Sequence, residues 1–460
     1  MISGVNLSSK SRRVYTLVVD TVAGIRTGHW APRWDAAGPA AERAAPGRGS
    51  APAELSPRTV NARRVLEAAW DGEALTASDI MERTGLTRAT VLSVCRDLVT
   101  AGWLREVADA RAAGLYAKGR PALRYGFVHG SRLVVGVDAG QHSLVASVAD
   151  LHGNQLGRVK RASDPAATAE RRRTDLRDLV GAAIAEAGVD RDAVAAVVIG
   201  APAPVDRDGR SPSDAADNFW PRMNPDFVTV FADEPWDVVV DNDANLAAIA
   251  EAAAGADDGV RAFATLLSGE RFGAGIVVDG MLLRGSHGGV GEMRVLDMVS
   301  GVEHPHGLAQ RARAAIREAP ADRLARSALG NLGRAEIEAH HVFAAARCGD
   351  PFAREIVDGL AERLAPVVML LSGLLDLDRI IIAGAVAESV EPVLQRTREI
   401  VNQDATLSKA ELVASRHGND VVLRGAVEAA IGLVRAGAMR PQPASAGTRP
   451  EHDGAAHPVG

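Results

Sequence analysis

Arg88, Thr90, Ser93 and Arg96 recur on one side of a stretch whose other side is Val91, Val94, Cys95 and Leu98. The apolar set has the spacing i, i+3, i+4, i+7, which gathers it on one face of a helix and turns the polar set outward. Guanidinium groups can reach base edges or phosphates, and short hydroxyls suit positioning on the nucleic-acid backbone. Further on, Lys118-Gly119-Arg120-Pro121 forms a compact basic loop between two stretches that read as strands, 103–107 and 122–127. Such a loop can follow a minor groove or a phosphate ridge. Thr87, Arg88, Thr90, Ser93, Arg96, Lys118 and Arg120 are therefore the candidate DNA contacts.

These residues need a scaffold, and the flanking sequence supplies one. A first helix is expected over 57–70, with Val60, Leu66 and Ala69 inward. Thr76-Ala77-Ser78-Asp79 has the form of a capping box, opening a short second helix with Ile80 and Met81 inward. Gly85 allows a tight turn, a third helix starts near Thr87, and Gly102 can end it. This is the order of a winged helix-turn-helix, whose third helix enters the major groove. A small trihelical domain that binds protein is the plainer alternative; the polar face and basic wing together favour DNA.

The chain of 460 residues is long enough for two or three domains, and its 47% hydrophobic content is ordinary for globular ones. Net charge is −6, but residues 56–127 carry 11 Lys and Arg against 8 Asp and Glu, a balance of +3 that leaves −9 for the rest. A basic module on an acidic body fits local DNA binding. Two cysteines exclude a disulfide framework and suit a reducing cytoplasm. No apolar stretch is long enough to span a membrane. Lys10, Arg12 and Arg13 before the run 14–25 imitate an export signal, but Asp20 interrupts the run and no small-residue cleavage site follows. Residues 1–55, rich in Ala, Pro and Gly over 37–53, and residues 439–460 are expected to be disordered tails. Residues 56–127 are expected to form the DNA-binding domain and 131–436 a second domain. In the latter, strands over 133–137, 144–149, 194–199, 238–240, 263–267, 275–278 and 380–383 alternate with helices over 175–187, 245–254, 352–375 and 388–401. That alternation predicts an α/β fold.

A set of motifs is spaced along this second domain. Val135-Gly136-Val137-Asp138-Ala139-Gly140 comes first, then Val198-Ile199-Gly200-Ala201-Pro202. Asp241-Asn242-Asp243-Ala244-Asn245 sits at a strand-to-helix junction. Gly273-Ala274-Gly275-Ile276 leads to Asp279-Gly280, Gly288-Gly289-Val290-Gly291-Glu292 and finally Ile380-Ile381-Ile382-Ala383-Gly384. In this order they resemble the ROK family of repressors and sugar kinases, and the upstream winged helix resembles that of its repressor branch. The resemblance covers about 56–436 and implies a two-lobed actin-like ATPase fold. It implies that Asn242 and Asp243 hydrogen-bond sugar hydroxyls and that Glu292 holds hydroxyls at the other end of the ring, chemistry amides and carboxylates can do in a closed cleft. In a kinase Asp243 would be the general base. Asn and Asp also favour helix N-caps, and both roles can hold at once.

The resemblance is broken at three phosphate- and nucleotide-facing segments. Gly140-Gln141-His142 replaces Gly-Gly-Thr, Gly269-Glu270-Arg271-Phe272-Gly273 replaces Gly-Thr-Gly-Ile-Gly, and Ala383-Gly384-Ala385 replaces Gly-Gly-Gly. Glu270 is expected to face the polyphosphate, where two unit charges at 4 Å repel by about 4 kcal/mol at an effective dielectric of 20. Arg271 adds bulk. The family's zinc loop is also lost: Val295 stands at the usual histidine, no cysteine follows until Cys348, and His304 with His306 cannot complete a four-ligand site. The expectation is a DNA-binding regulator, a repressor of carbohydrate genes, sensing a sugar without kinase activity, metal or cofactor. Its partners are operator DNA, a sugar effector and a second copy in a homodimer or higher homo-oligomer. An active sugar kinase is the alternative, and a regulator with a degenerate site that answers to a protein partner is a third reading.

Overall fold

The computed structural model describes residues 56–70, 72–107, 123–213, 219–255, 259–404 and 410–438. The expected tails and the wing loop with Lys118 and Arg120 lie outside the described residues. Two compact units are present: Leu133–Gly432, and the described residues up to Arg132 together with those from Leu433. No helix among the described residues is long and apolar enough to cross a membrane.

The smaller unit holds α1 (Pro57–Trp70), β1 (Leu75–Thr76), α2 (Ala77–Thr84), α3 (Arg88–Thr100), β2 (Leu104–Val107) and β3 (Arg124–Phe127). The capping box forms: Asp79 N donates to Thr76 Oγ1 at 3.2 Å and Thr76 N to Asp79 Oδ2 at 2.8 Å. The Thr76 backbone N–H first, and then its side-chain hydroxyl, hold the Asp79 carboxyl below its usual range. Gly85 closes α2 at φ 69°, the left-handed conformation glycine tolerates. Leu66, Ala69, Ile80, Val91, Val94, Cys95 and Leu98 are buried as the periodicity requires. Val60 and Met81 are only half-buried. Val65 and Trp70 take the deep positions instead, with the Trp70 ring 4.5 Å from Phe127. Arg435 lies over Trp70 at 5.0 Å and pairs with Glu67 through Nε at 2.8 Å. β1 was not foreseen, since two residues carry no period; it pairs with β3 through Leu75 and Tyr125.

The larger unit repeats one sheet plan twice. Its first sheet uses β4 (Leu133–Ala139), β5 (Ser143–Asp150), β6 (Gln155–Ala162), β7 (Val194–Ala201) and β8 (Asp237–Asn242), ordered β6-β5-β4-β7-β8. Helices α4 (Ala169–Ala187), α5 (Phe219–Met223) and α6 (Asp243–Ala254) accompany it. The second sheet uses β9 (Phe263–Ser268), β10 (Phe272–Val278), β11 (Met281–Leu283), β12 (Arg379–Ala383) and β13 (Glu411–Ala414), ordered β11-β10-β9-β12-β13. In each sheet the first three strands are antiparallel and the last two join in parallel. Central strands such as β4 are apolar almost throughout, as burial on both faces demands. The helices α7 (Leu308–Glu318), α8 (Ala321–Arg326), α9 (Ala339–Arg347), α10 (Pro351–Leu375), α11 (Glu391–Val401) and α12 (Val421–Gly437) complete the unit, apart from the end of α12 beyond Gly432. The expected α/β fold of two actin-like lobes behind a helix-turn-helix is therefore present. The edge strands β6, β11 and β13 escape sequence reading because at most one residue of each is buried, and β11 and β13 are also short.

One element is held with no slack. α6 is apolar all round and buried, as such a helix must be. A Cβ on Gly275 of β10 would lie 2.1 Å from the Ala244 carbonyl oxygen, and one on Gly425 of α12 only 1.8 Å from that of Leu246. Glycine at both positions seats α6 against the second sheet and against α12.

Candidate DNA-reading face and effector site

On α3, Arg88, Ser93 and Arg96 are exposed, together with Thr87 at its start; Thr90 is half-buried. Thr87 caps the helix: Thr90 N donates to its Oγ1 at 3.4 Å, and the two hydroxyls are 2.9 Å apart. These two threonines therefore order the first turn. Arg88, Ser93 and Arg96 remain displayed, the two arginines about 12 Å apart along the axis at 1.5 Å per residue. Arg58 braces the helix by donating to Asp97 at 2.7 Å. A helix presented in this way can enter a major groove and offer guanidinium groups to bases or phosphates.

The second site is built where β4, α6 and the loop after β11 converge. Asn242 is the N-cap of α6: its Oδ1 accepts from Ala244 N at 2.9 Å and Asn245 N at 3.2 Å, and its Nδ2 donates to Ala203 O at 3.0 Å. Most of its capacity is thus committed to the fold. Asp243 accepts from Ala244 N at 2.8 Å through Oδ1 only. Its carboxyl is pushed up to about 8, first by burial, then by the carboxylate of Asp138 and further by Glu292. Asp138, at the end of β4, is pushed up to about 7 by burial and by Asp420, opposed by Lys160. Glu292 follows a loop brought against β10, where Gly273 and Glu292 form a bridge. Its carboxyl is also raised by burial, with Arg294 and Arg271 pulling the other way. Asp243 thus feels the charges of both Asp138 and Glu292, and the three acids form a set that can hold hydroxyl groups in either protonation state.

Glycine lets the Glu292 loop close. A Cβ on Gly288 would lie 1.8 Å from the Val205 carbonyl oxygen, and one on Gly291 1.7 Å from that of Ala274. The mouth beside it carries paired cations and rings: Arg271 over Phe219 at 5.1 Å and Arg294 over Trp220 at 4.7 Å.

The turn between β9 and β10 corrects one expectation. Glu270 does not stand as an isolated negative charge; it pairs with Arg313 of α7, which also donates to Glu338 at 2.9 Å. The turn is fixed to the start of α7, with Gly307 N donating to Glu270 O at 3.0 Å. Pairing with Arg313 therefore weakens the charge argument at Glu270, although Arg313 is shared with Glu338 and leaves one negative charge over; the bulk of Arg271 stands beside it. Val295 is exposed on a short turn, and the rings of His304 and His306 are 5.2 Å apart. Burial and nearby Arg311 depress His306. With no thiolate beside them, these donors do not fit a structural zinc ion.

Sequence reasoning missed three residues here. Asp138 was visible within its motif but assigned no role. Asp241 accepts from Arg284 Nη2 at 2.7 Å. Arg172 is buried and donates to Ser163 Oγ at 2.9 Å and Ala139 O at 3.1 Å, tying α4 to the turn after Asp138. It sits in a run of three arginines, a pattern that ordinarily marks a solvated face.

Comparison with known proteins bears on both units. The ROK family profile matches residues 134–432, and the IclR helix-turn-helix domain profile matches 64–108. A glucokinase of Streptomyces coelicolor is 30% identical over 323 residues, 65% of this chain and 97% of that protein. A glucokinase of Halalkalibacterium halodurans is 29% identical over 177 residues, and there the chain spans 53% of the relative's length. Among solved structures, a ROK family transcriptional regulator, homologous to the Escherichia coli Mlc protein, superposes with a TM-score of 0.61 at 20% identity, covering 82% of this chain and 98% of that one. A ROK glucokinase from Streptomyces griseus, in complex with glucose and AMPPNP, gives 0.53 at 29% identity over 65% of this chain and 99% of its own. With its family domain over 134–432 and a helix-turn-helix domain ahead of it, this chain belongs to the ROK family.

Proposed function

We propose that the chain is a DNA-binding transcriptional regulator that senses a sugar or sugar derivative through its ROK domain and does not phosphorylate it. The observation that carries this reading is the helix-turn-helix unit, with Arg88, Ser93 and Arg96 displayed on α3, in one chain with the ROK domain. Asn242, Asp243 and Glu292 are the proposed sugar ligands, and Asp138 joins them. Operator DNA is the macromolecular partner, contacted by α3 and by the wing residues Lys118 and Arg120. Repression of carbohydrate genes in the cytoplasm is the role this combination serves.

An active sugar kinase is the second reading. Asp138 and Asp243 favour it, since carboxylates of this kind could serve a phosphoryl transfer, and the Streptomyces coelicolor relative is named a glucokinase. Against it stand Gln141-His142, Arg271 and Ala383-Gly384-Ala385, where backbone needs to approach phosphate and nucleotide closely. Purified protein with ATP, magnesium and a panel of hexoses decides between them. The expected result is no turnover above background, together with a sugar-dependent rise in melting temperature, since selective ligands raise apparent stability. Robust phosphorylation of any one sugar establishes the kinase.

A further inference from the structure

The two halves of the effector site are joined by an ion pair between a half-buried arginine and a buried carboxylate. Arg284 follows β11 and opens the glycine loop that ends in Glu292; its Nη2 donates to Asp241 Oδ2 at 2.7 Å. Asp241 lies on β8, in the other sheet, and its side chain is only 5% exposed. Its second oxygen, Oδ1, accepts from Asn242 N at 2.8 Å and from Asn245 Nδ2 at 2.9 Å. One carboxylate oxygen is thus occupied by the first turn of α6, the other by a residue of the opposite lobe. The Arg284 carbonyl in turn accepts from Val290 N at 3.4 Å, closing the loop two residues before Glu292.

A buried ion pair is a poor source of net stability, because desolvation offsets much of the attraction. A charged hydrogen bond from a planar guanidinium to one carboxylate oxygen does fix direction and distance. We propose that Arg284 is a positioning residue: through Asp241 it orients the α6 turn bearing Asp243, and through its own backbone it orients the loop bearing Glu292, so that the two acids keep one spacing. This rests on the reading of Asn242, Asp243 and Glu292 as sugar ligands. Arg284 itself touches no ligand in this scheme.

The test uses the full chain and two readouts. Hydrogen exchange on ligand-free Arg284→Met should speed at least tenfold both at 242–245 and at 285–292, with β4 and β7 unchanged. Arg284→Lys, which keeps a charge but loses the planar guanidinium, should fall between. Unchanged exchange at 242–245 overturns the proposal, because the link to α6 would then be absent. If the lone carboxylate left in Arg284→Met prevents folding, the double variant Asp241→Asn with Arg284→Met removes the charge and should show the same paired loosening. The second readout is titration with a hexose panel. A sugar that binds the wild type should bind Arg284→Met on the order of tenfold more weakly, the scale of one charged hydrogen bond; equal affinity overturns the proposal. If no sugar binds the wild type, the sugar reading fails, and the exchange experiment alone decides the role of Arg284.

Discussion

Asp243 carries the sharpest consequence of its surroundings. Its carboxyl stands at about 8 when folded, against an ordinary value of 3.8. Between roughly pH 4 and 8 the folded chain therefore keeps a proton that the unfolded chain releases, and folding loses stability as pH rises through that window. Asp243→Asn cannot release a proton. Melting temperatures of the two proteins should diverge in favour of the variant from pH 5 to 8.5; parallel curves would mean that Asp243 titrates normally. The same position tests the effector reading. Asp243→Ala should keep operator affinity in the absence of sugar and lose the sugar response. A normal response would reduce Asp243 to part of a helix cap and place the effector site elsewhere.

At the scale of elements, the DNA unit stands on a few local devices. Thr76→Ala breaks the capping box and should lower stability by about 1 kcal/mol in chemical denaturation. Replacing Arg88 and Arg96 together by Ala removes two contacts of about 1–3 kcal/mol each. Operator binding should weaken on the order of a hundredfold or more, with sugar binding untouched; unchanged operator affinity would remove α3 as the reading helix. In the larger unit Gly425→Ala sets two effects against each other. Alanine improves helix propensity by about 1 kcal/mol, but its Cβ would meet Leu246 O at 1.8 Å. The clash wins, and a net loss of about 1–3 kcal/mol is expected from overpacking. The helices and central strands were legible in the sequence because burial imposes a period on them. The two-residue β1 carries no period and escaped; Trp70, in phase with Leu66 and Ala69, escaped because it ends α1. The site was legible where a motif fell on a strand end, as at Asn242 and Asp243. Arg284 and Arg172 escaped because their roles depend on partners 43 residues away in Asp241 and 33 in Ala139.

For the whole molecule, one winged helix reads only a few base pairs, so a symmetric oligomer on a palindromic operator is expected, with half-sites one helical turn or a multiple apart. Sedimentation of the protein with operator DNA checks this, and a single copy bound to the full operator would refute it. The effector must favour one of two global states to shift DNA binding at all. Coupling is then reciprocal: a sugar that weakens operator binding tenfold is itself bound tenfold more weakly on the operator. Isothermal titration of sugar with and without operator measures that ratio directly, and unequal factors would show that more than this one equilibrium is involved.

The glycine loop before Glu292 bears on which positions of this chain can vary over evolutionary time. Gly288 and Gly291 have no room for even a methyl group against Val205 and Ala274. A saturation library would find these loop positions as intolerant as a packed core. Heritable variation is then channelled past Glu292 to Arg294 and Val295, whose side chains are exposed and can be exchanged without displacing backbone; on the proposed sugar-sensing reading, this is where a change of sugar preference would arise. Diversification should therefore cluster just downstream of Glu292, while the approach to that acid stays fixed.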